Sequence, residues 1–290
     1  SPPRGATKAQ RLQVAVDVGG GDGELCRPAG DSERPDGLGV RPVGCVEFGY
    51  EVSPFVDLFI GSETYGYGGE NTTEGGLLVG NWQFDKVWGA LNAHPEMSAE
   101  DLALTMVENF QIYGPWRGGW YIPKLESSDT MSAIRTALME DVVNATDALA
   151  GALVDRLSGP ASSVNRALVQ DAIGSPEYMV RDYTESFSGQ LDHIGLGTFT
   201  NYDLYDFALQ ISRKPLGLTA QASAVMEAIQ NCVLAEVHGT DASQGEHPDA
   251  HGISVYIPQT ANEYNPAYAD TAFAKDTQWD EFIQAYWWIG

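Results

Sequence analysis

The sequence predicts an α/β protein whose C-terminal part is rich in helix. Two observations carry that reading. Short apolar runs of strand length occur at residues 12–17, 56–60 and 253–257, each bounded by Gly, Pro or polar residues. Between and after them lie longer segments in which apolar residues recur every three or four positions, the mark of helices with one buried face.

Taken in order, the first run, 12–17, reads as a short buried strand and leads into Gly19-Gly20-Gly21. Residues 22–44 are rich in Gly, Pro, Asp and Arg without a period, which predicts loop. The second strand, 56–60, precedes a Gly/Thr/Tyr-rich stretch at 61–81 that reads as a long surface loop. A helix is expected at 82–91. Ser98-Ala99-Glu100-Asp101 has the form of a capping signal, with a helix behind it that puts Leu102, Met106 and Phe110 on one face. The strongest helical period runs over 132–157, through Ile134, Leu138, Val142, Leu149, Leu153 and Leu157, and Gly159-Pro160 ends it. Further helices are expected within 160–179, at 203–212, at 219–237 and at 279–288. The third strand, 253–257, stops at Pro258.

Composition narrows the classes. The chain has 290 residues, 43% of them hydrophobic, enough for a sizeable core. No run approaches the roughly 18 apolar residues of a membrane-spanning helix, so no transmembrane segment is expected. The formal net charge is -24, spread along the chain, with only five lysines. Such a surface disfavours nucleic acid, which needs a basic patch, and favours a basic, Arg- or Lys-containing peptide or protein partner. It also suits a surface that stays hydrated in high salt, where repulsion is screened.

The charge is not evenly divided. Residues 1–41 hold six basic and six acidic side chains and are neutral, so the remaining 249 residues carry the whole excess. Cys26, Cys45 and Cys232 are too few for a disulfide scaffold, leave room for one bridge, and show no zinc spacing. No metal or cofactor is expected. Cys232 reads as a small buried residue. Asn71-Thr72-Thr73 and Asn144-Ala145-Thr146 have the form of glycosylation triplets.

From the neutral-to-acidic boundary onward, ordered segments carry a resemblance. They begin with Glu47-Phe48-Gly49-Tyr50-Glu51-Val52 and Val56-Asp57-Leu58-Phe59-Ile60-Gly61-Ser62-Glu63. Trp82-Gln83-Phe84-Asp85-Lys86-Val87-Trp88 and His94-Pro95-Glu96-Met97-Ser98 follow, then Met131-Ser132-Ala133-Ile134. The last two are Asn201-Tyr202-Asp203-Leu204-Tyr205-Asp206-Phe207 and His251-Gly252-Ile253-Ser254-Val255-Tyr256-Ile257-Pro258. Together they make residues 47 to the C-terminus resemble the clostripain family, peptidase family C11, of cysteine peptidases.

That resemblance implies a caspase-like αβα core, N-terminally incomplete here, in which 45–125 is the remainder of the core, 126–290 a helical part and 1–44 an irregular or non-native segment. It implies a secreted or cell-envelope hydrolase that cleaves after Arg or Lys with a Cys–His dyad. In such a dyad the thiolate attacks the scissile carbonyl, the imidazole shuttles the proton, and backbone N–H groups hold the oxyanion.

The dyad itself is not identifiable. Val18 occupies the expected histidine position and Arg41 the expected cysteine position. Cys45 is the nearest thiol, four residues late, and is the weak candidate nucleophile, with a structural role as its other reading. His251, at the start of a strand, is the one histidine with a path to a site. Glu63 and Glu70 are weak candidates for acids that would read a basic side chain.

Two further readings stand beside the peptidase. One is a non-catalytic relative acting as a binding or envelope protein. The other is an S-adenosylmethionine-dependent methyltransferase, from the glycine-rich stretch 14–25, although Pro28, Gly30 and Pro35 spoil the helix that motif needs. A shifted reading frame upstream of residue 45 would also explain why charge step and motif loss coincide.

Overall fold

A computed structural model describes residues 14–16, 39–40, 44–63, 66–67, 83–110, 130–174, 201–239, 249–258 and 260–287. Val18, Arg41 and Glu70 lie outside them, as do Cys26, the triplet at Asn71 and residues 17–25 of the glycine-rich stretch.

The centre is a four-stranded sheet of β1 (Val14–Val16), β3 (Leu58–Gly61), β5 (Thr130–Arg135) and β7 (Val233–His238), in that spatial order. β1 runs parallel to β3, while β5 is antiparallel to both β3 and β7. β2 (Gly39–Val40) and β4 (Gly66–Tyr67) form one small antiparallel pair. β6 (Asn201–Asp203) and β8 (Ser254–Tyr256) form another.

Side chains of a strand alternate between the two faces of its sheet, and this sorts the core into two layers. Phe59 and Ile134 face one cluster, with Val46, Met139, Leu149, Leu153, Phe207, Ile229 and Trp279. Leu58, Ile60, Met131 and Ala133 face the other, with Val87, Ala103, Met106 and Val107. The first cluster is supplied by α1 (Val46–Val52), α4 (Met139–Ser158), α6 (Leu204–Arg213), α7 (Thr219–Cys232) and α9 (Trp279–Trp287). The second is supplied by α2 (Phe84–Ala93) and α3 (Ala99–Glu108). The result is a sheet with helices on both faces, a mixed α/β arrangement as the sequence predicts. α5 (Ser162–Ile173) and the short α8 (Ala272–Asp276) complete the described helices.

Several elements form where local chemistry places them. At α3 the Ser98 hydroxyl accepts from the Asp101 N–H at 3.1 Å, and the Asp101 carboxylate accepts in return from the Ser98 N–H and hydroxyl. This reciprocal box satisfies donors that a helix start leaves orphaned. α9 is anchored by Trp279, which is fully buried and donates from its indole N–H to the Tyr256 carbonyl at 2.8 Å.

Two expected helices are shorter than their periodicity suggests. The segment 132–138 is not α-helical: Met131-Ser132-Ala133-Ile134 lies in β5, buried on both faces, Thr136–Leu138 forms one 3-10 turn, and α4 starts at Met139. A short apolar run reads alike as a buried strand or a helix turn, and pairing with β3 and β7 decides it. Likewise the helix expected to reach Val237 ends at Cys232, and β-branched Val233 and Val237 enter β7 instead. β5 and β7 are half of the central sheet, so the stretch after residue 125 contributes strands as well as helices.

Candidate functional site

Cys45 is the candidate nucleophile. It occupies the cap position before α1, in extended backbone with φ -108° and ψ 152°, and its side chain makes no capping hydrogen bond. The residue before it fixes the local path. The Gly44 N–H donates to the Ser62 carbonyl at 2.7 Å, and the Gly44 carbonyl accepts from the Ser254 N–H at 2.7 Å and the Ser254 hydroxyl at 3.2 Å. A Cβ on Gly44 would lie 2.7 Å from the Ser62 carbonyl carbon, a backbone atom that cannot yield. The Gly44–Cys45 segment is thus threaded between the end of β3 and β8, and Cys45 forms an isolated bridge to Ser254. The consequence is burial: Cys45 is 1% exposed, and both it and Cys232 are buried thiols that form no disulfide.

Against the Cys45 thiol lies an acid. Glu47 is buried in the first turn of α1, where its Oε1 accepts from the Tyr256 N–H and the Tyr268 hydroxyl, each at 2.9 Å. Burial raises its pKa, while the bonds from Tyr256, Tyr268 and Cys45 pull the other way. Burial, then the charge and hydrogen bond of Glu47, push the Tyr268 phenol well above its usual range. This trio ties α1 to β8 and to the turn that holds Tyr268.

A second polar corner forms at the other candidates. Glu63, just beyond β3, is 1% exposed, and its Oε2 accepts the Gly252 N–H at 3.1 Å. Burial, then the charge and hydrogen bond of Asp203, raise its pKa well above that of an ordinary carboxyl. Both causes favour its protonated form, and its side chain is turned away from solvent.

Asp203 is the hub of this corner. It caps α6, accepting the Asp206 N–H on Oδ1 at 2.6 Å. Its Oδ2 accepts the His251 N–H at 2.6 Å, and the His251 Nδ1 lies 3.3 Å from Oδ1. The imidazole of His251 stacks on Tyr205 with centroids 4.0 Å apart. Burial acts to lower the His251 pKa, but the bond and charge of Asp203 and the charge of Asp206 outweigh it, so the net shift is upward. Asp206, 1% exposed, is pushed up to about 8, by burial first and the neighbouring Asp203 charge second.

The two candidate residues of a dyad therefore sit in different networks. Among the described residues the ring of His251 is engaged by Asp203 and Tyr205, and Cys45 by the Glu47 neighbourhood. Asp203 and Asp206 both lie in the Asn201–Phe207 box, where the sequence alone gives neither a chemical role. The signal available was the Asp-x-x-Asp spacing across a helix start, which reads as a cap before it reads as a charge pair. Cys232 is inert by a separate route: its thiol donates to the Arg135 carbonyl and burial pushes it up to about 12. Among the described residues no group of three or more His, Cys, Asp or Glu is arranged to hold a metal ion. No described helix is long and apolar enough to cross a membrane. In the second glycosylation-type triplet, Thr146 is buried within α4 and its hydroxyl donates to the Val142 carbonyl.

No known family model matches the chain, and neither does any curated protein. Among solved structures it is similar to C11 cysteine proteases. One, from Parabacteroides distasonis, is described as an inactive zymogen; it is 15% identical, with a TM-score of 0.43, and the match covers 82% of this chain and 56% of that one. A cysteine protease of B. fragilis is 18% identical, with a TM-score of 0.47, covering 82% and 86%. A clostripain of Bacteroides thetaiotaomicron, solved with a peptide inhibitor, is 10% identical, with a TM-score of 0.38, covering 81% and 82%. The chain spans just over half of the first of these proteins. At such identities the likeness assigns no residue a role.

Proposed function

We propose that this chain is a clostripain-type relative in which Cys45 is a structural thiol, so that it engages basic peptides without using Cys45 as a nucleophile. The ordered sequence segments from Glu47 onward support the family. The acidic balance, -24 over the chain, supports a basic peptide or protein as the partner and disfavours nucleic acid. A secreted or cell-envelope setting follows from the same family reading, and a high-salt setting from the charge.

One observation carries the statement about Cys45. A nucleophile must reach a carbonyl carbon at about 3–3.5 Å in a near-attack geometry. Cys45 is 1% exposed, and the backbone bonds that bury it run through Gly44, Ser62 and Ser254. Those bonds hold the backbone at Cys45 against the end of β3 and β8. The acid–histidine pair Asp203–His251 is occupied in holding α6 to the turn before β8.

The deciding measurement joins two assays. Arg- and Lys-containing fluorogenic peptides are offered to the wild-type chain and to Cys45→Ala. In parallel the native protein is treated with iodoacetamide and the alkylated peptides are mapped. The expected result is an unmodified Cys45 in the folded protein and the same turnover, including none, for both chains. Turnover in the wild type that disappears in Cys45→Ala, with Cys45 alkylated in the folded state, would overturn the proposal. Absence of turnover in both, with saturable binding of an Arg-rich peptide, identifies a binding protein built on a peptidase scaffold.

A further inference from the structure

Four parts of the chain, far apart in sequence, meet at one corner of the sheet. Glu63 comes from the end of β3, Asp203 and Asp206 from the β6–α6 junction, His238 and Glu236 from the end of β7, and His251 with Gly252 from the turn before β8. Direct bonds join them across 189 residues between Gly252 and Glu63 and across 48 between His251 and Asp203. The His238 Nδ1 lies 2.6 Å from Glu236 Oε2, two residues away on the same strand, and the charge of Asp249 also bears on Asp206.

The charge chemistry of this corner is unusual. Glu63, Asp203 and Asp206 are each no more than 2% exposed, and among the described residues none of them pairs with Lys or Arg. The cationic partners within reach are the two imidazoles. Among the described residues Glu63 Oε1 and Asp206 Oδ2 are buried and meet no hydrogen-bond donor, and a bond between the Glu63 and Asp203 carboxyls needs a proton on one of them. A buried ionised carboxylate without a partner costs several kcal/mol. Carboxyl groups in that position are tolerated when they carry protons, and imidazoles offset a carboxylate only when they carry protons too. Beside the backbone N–H donors and the Gln210 amide, which donates to Asp206 Oδ1 at 3.4 Å, the compensating devices here are titratable protons.

We propose that the corner is a proton-dependent latch: with its protons in place it clamps β6 and α6 to β3 and to the turn before β8, and on losing them it lets that junction loosen. The mechanism is local. While Glu63 and Asp206 are neutral, Asp203 is free to accept the Asp206 N–H, the His251 N–H and the His251 ring, and Glu63 accepts the Gly252 N–H. When Asp206 ionises beside Asp203, and His251 becomes neutral, like charges face each other in a buried space with no basic side chain to answer them.

The two shifts act in the same direction. Asp206 is raised from 3.8 to about 8, so the stability it contributes is fully present below the lower value and is lost as pH rises through the upper one. His251 is raised above 6.5, so its contribution is present below that value and is lost as pH rises through its folded pKa. The latch is closed in mildly acidic and neutral solution and opens on the alkaline side.

Hydrogen exchange of the full chain tests this. Protection factors of the Asp206, His251 and Gly252 amides are measured at about pH 5.5 and about pH 8.5, each corrected for intrinsic exchange, beside those of Leu149 and Leu153 in α4. The expected result is a loss of more than about tenfold at the three corner amides, the change that one pKa unit of linkage produces, with less than about twofold change in α4. Equal protection at both pH values, or an equal loss in α4, would overturn the latch. Asp206→Asn, which keeps the shape and removes one titration, should cut the corner's loss at least about threefold; an unchanged loss would also overturn it. Should that variant not fold, the wild-type profile alone decides.

Discussion

Ser132 of β5 and Gly252 of the turn before β8 are locked face to face. The Ser132 hydroxyl donates to the Gly252 carbonyl at 2.7 Å, and a Cβ built on Gly252 would stand 2.9 Å from the Ser132 Cβ. Gly252 has φ +93°, in a region that side-chain-bearing residues rarely adopt. Both its conformation and its space exclude a methyl group.

Gly252→Ala is therefore expected to destabilise the protein by about 1–3 kcal/mol, the range for a residue forced into a sparsely populated backbone region. Urea denaturation checks it. Ser132→Ala removes the hydroxyl but keeps the Cβ, so Gly252→Ala should cost about as much in that background as in the wild type. Ser132→Gly removes the Cβ and should recover part of the loss. Equal costs in all three backgrounds would leave strain in φ as the whole explanation.

Asp203 accepts from three donors: the Asp206 N–H, the His251 N–H and the His251 ring. Asparagine has the same shape but one acceptor oxygen, and its amide would point a donor at a donor. Asp203→Asn should cost about 2–4 kcal/mol, since a hydrogen bond to a charged group contributes about 1.5–3 kcal/mol and a helix cap about 1 kcal/mol. The check is equilibrium unfolding with circular dichroism. A loss under about 0.5 kcal/mol would show that the hub is dispensable.

Much of the fold was legible because its signals are local. The Ser98 capping pattern, the helix break at Gly159-Pro160 and the strand stop at Pro258 each depend on residues within a few positions. The errors at 132–138 and 233–237 arose where two patterns overlap. Ile134 and Leu138 fit the helical period of α4, yet Ile134 sits in β5 because two neighbouring strands bury both of its faces. The candidate site was less legible. Cys45 could be located by its distance from Glu47, but its burial depends on Ser62 and on Ser254, which lies 210 residues away from Gly44 in sequence. Glu63 read as an acid able to meet a basic ligand, because nothing in its own segment announces Asp203 or Gly252 as its neighbours. Val18, Arg41 and Glu70 fall outside the described residues.

The charge balance gives a prediction about salt. With a net charge of -24 and only 16 basic side chains, carboxylates repel one another over the surface. Raising NaCl from about 0.05 M to about 1 M shortens the screening length from roughly 14 Å to about 3 Å. The melting temperature should rise by several degrees over that range, since about 1 kcal/mol moves it by roughly 2–8 °C. Guanidinium chloride should show anomalously weak action at low concentration, where it screens before it denatures. A flat or falling melting temperature would mean that the acidic groups are already neutralised by local partners.

Glu47 offers a second pH test: the Tyr268 phenol that bonds its Oε1 is pushed well above its usual range, by burial first and the Glu47 charge second. Its folded pKa is raised above 4.5, with burial the largest cause. The stability it contributes is thus fully present below 4.5 and is lost as pH rises through the folded value. Glu47→Gln keeps an oxygen to accept from the Tyr256 N–H and the Tyr268 hydroxyl and never ionises. At acid pH, where both forms are neutral, the variant should lie within about 1 kcal/mol of the wild type. As pH rises to about 8 the wild type alone loses its contribution, so the difference must move steadily in favour of Glu47→Gln. Urea midpoints of the two proteins at about pH 4.5, 6 and 8 measure it. A difference that moves toward the wild type as pH rises would show that Glu47 works as an anion, bound by its donors more tightly than burial penalises it.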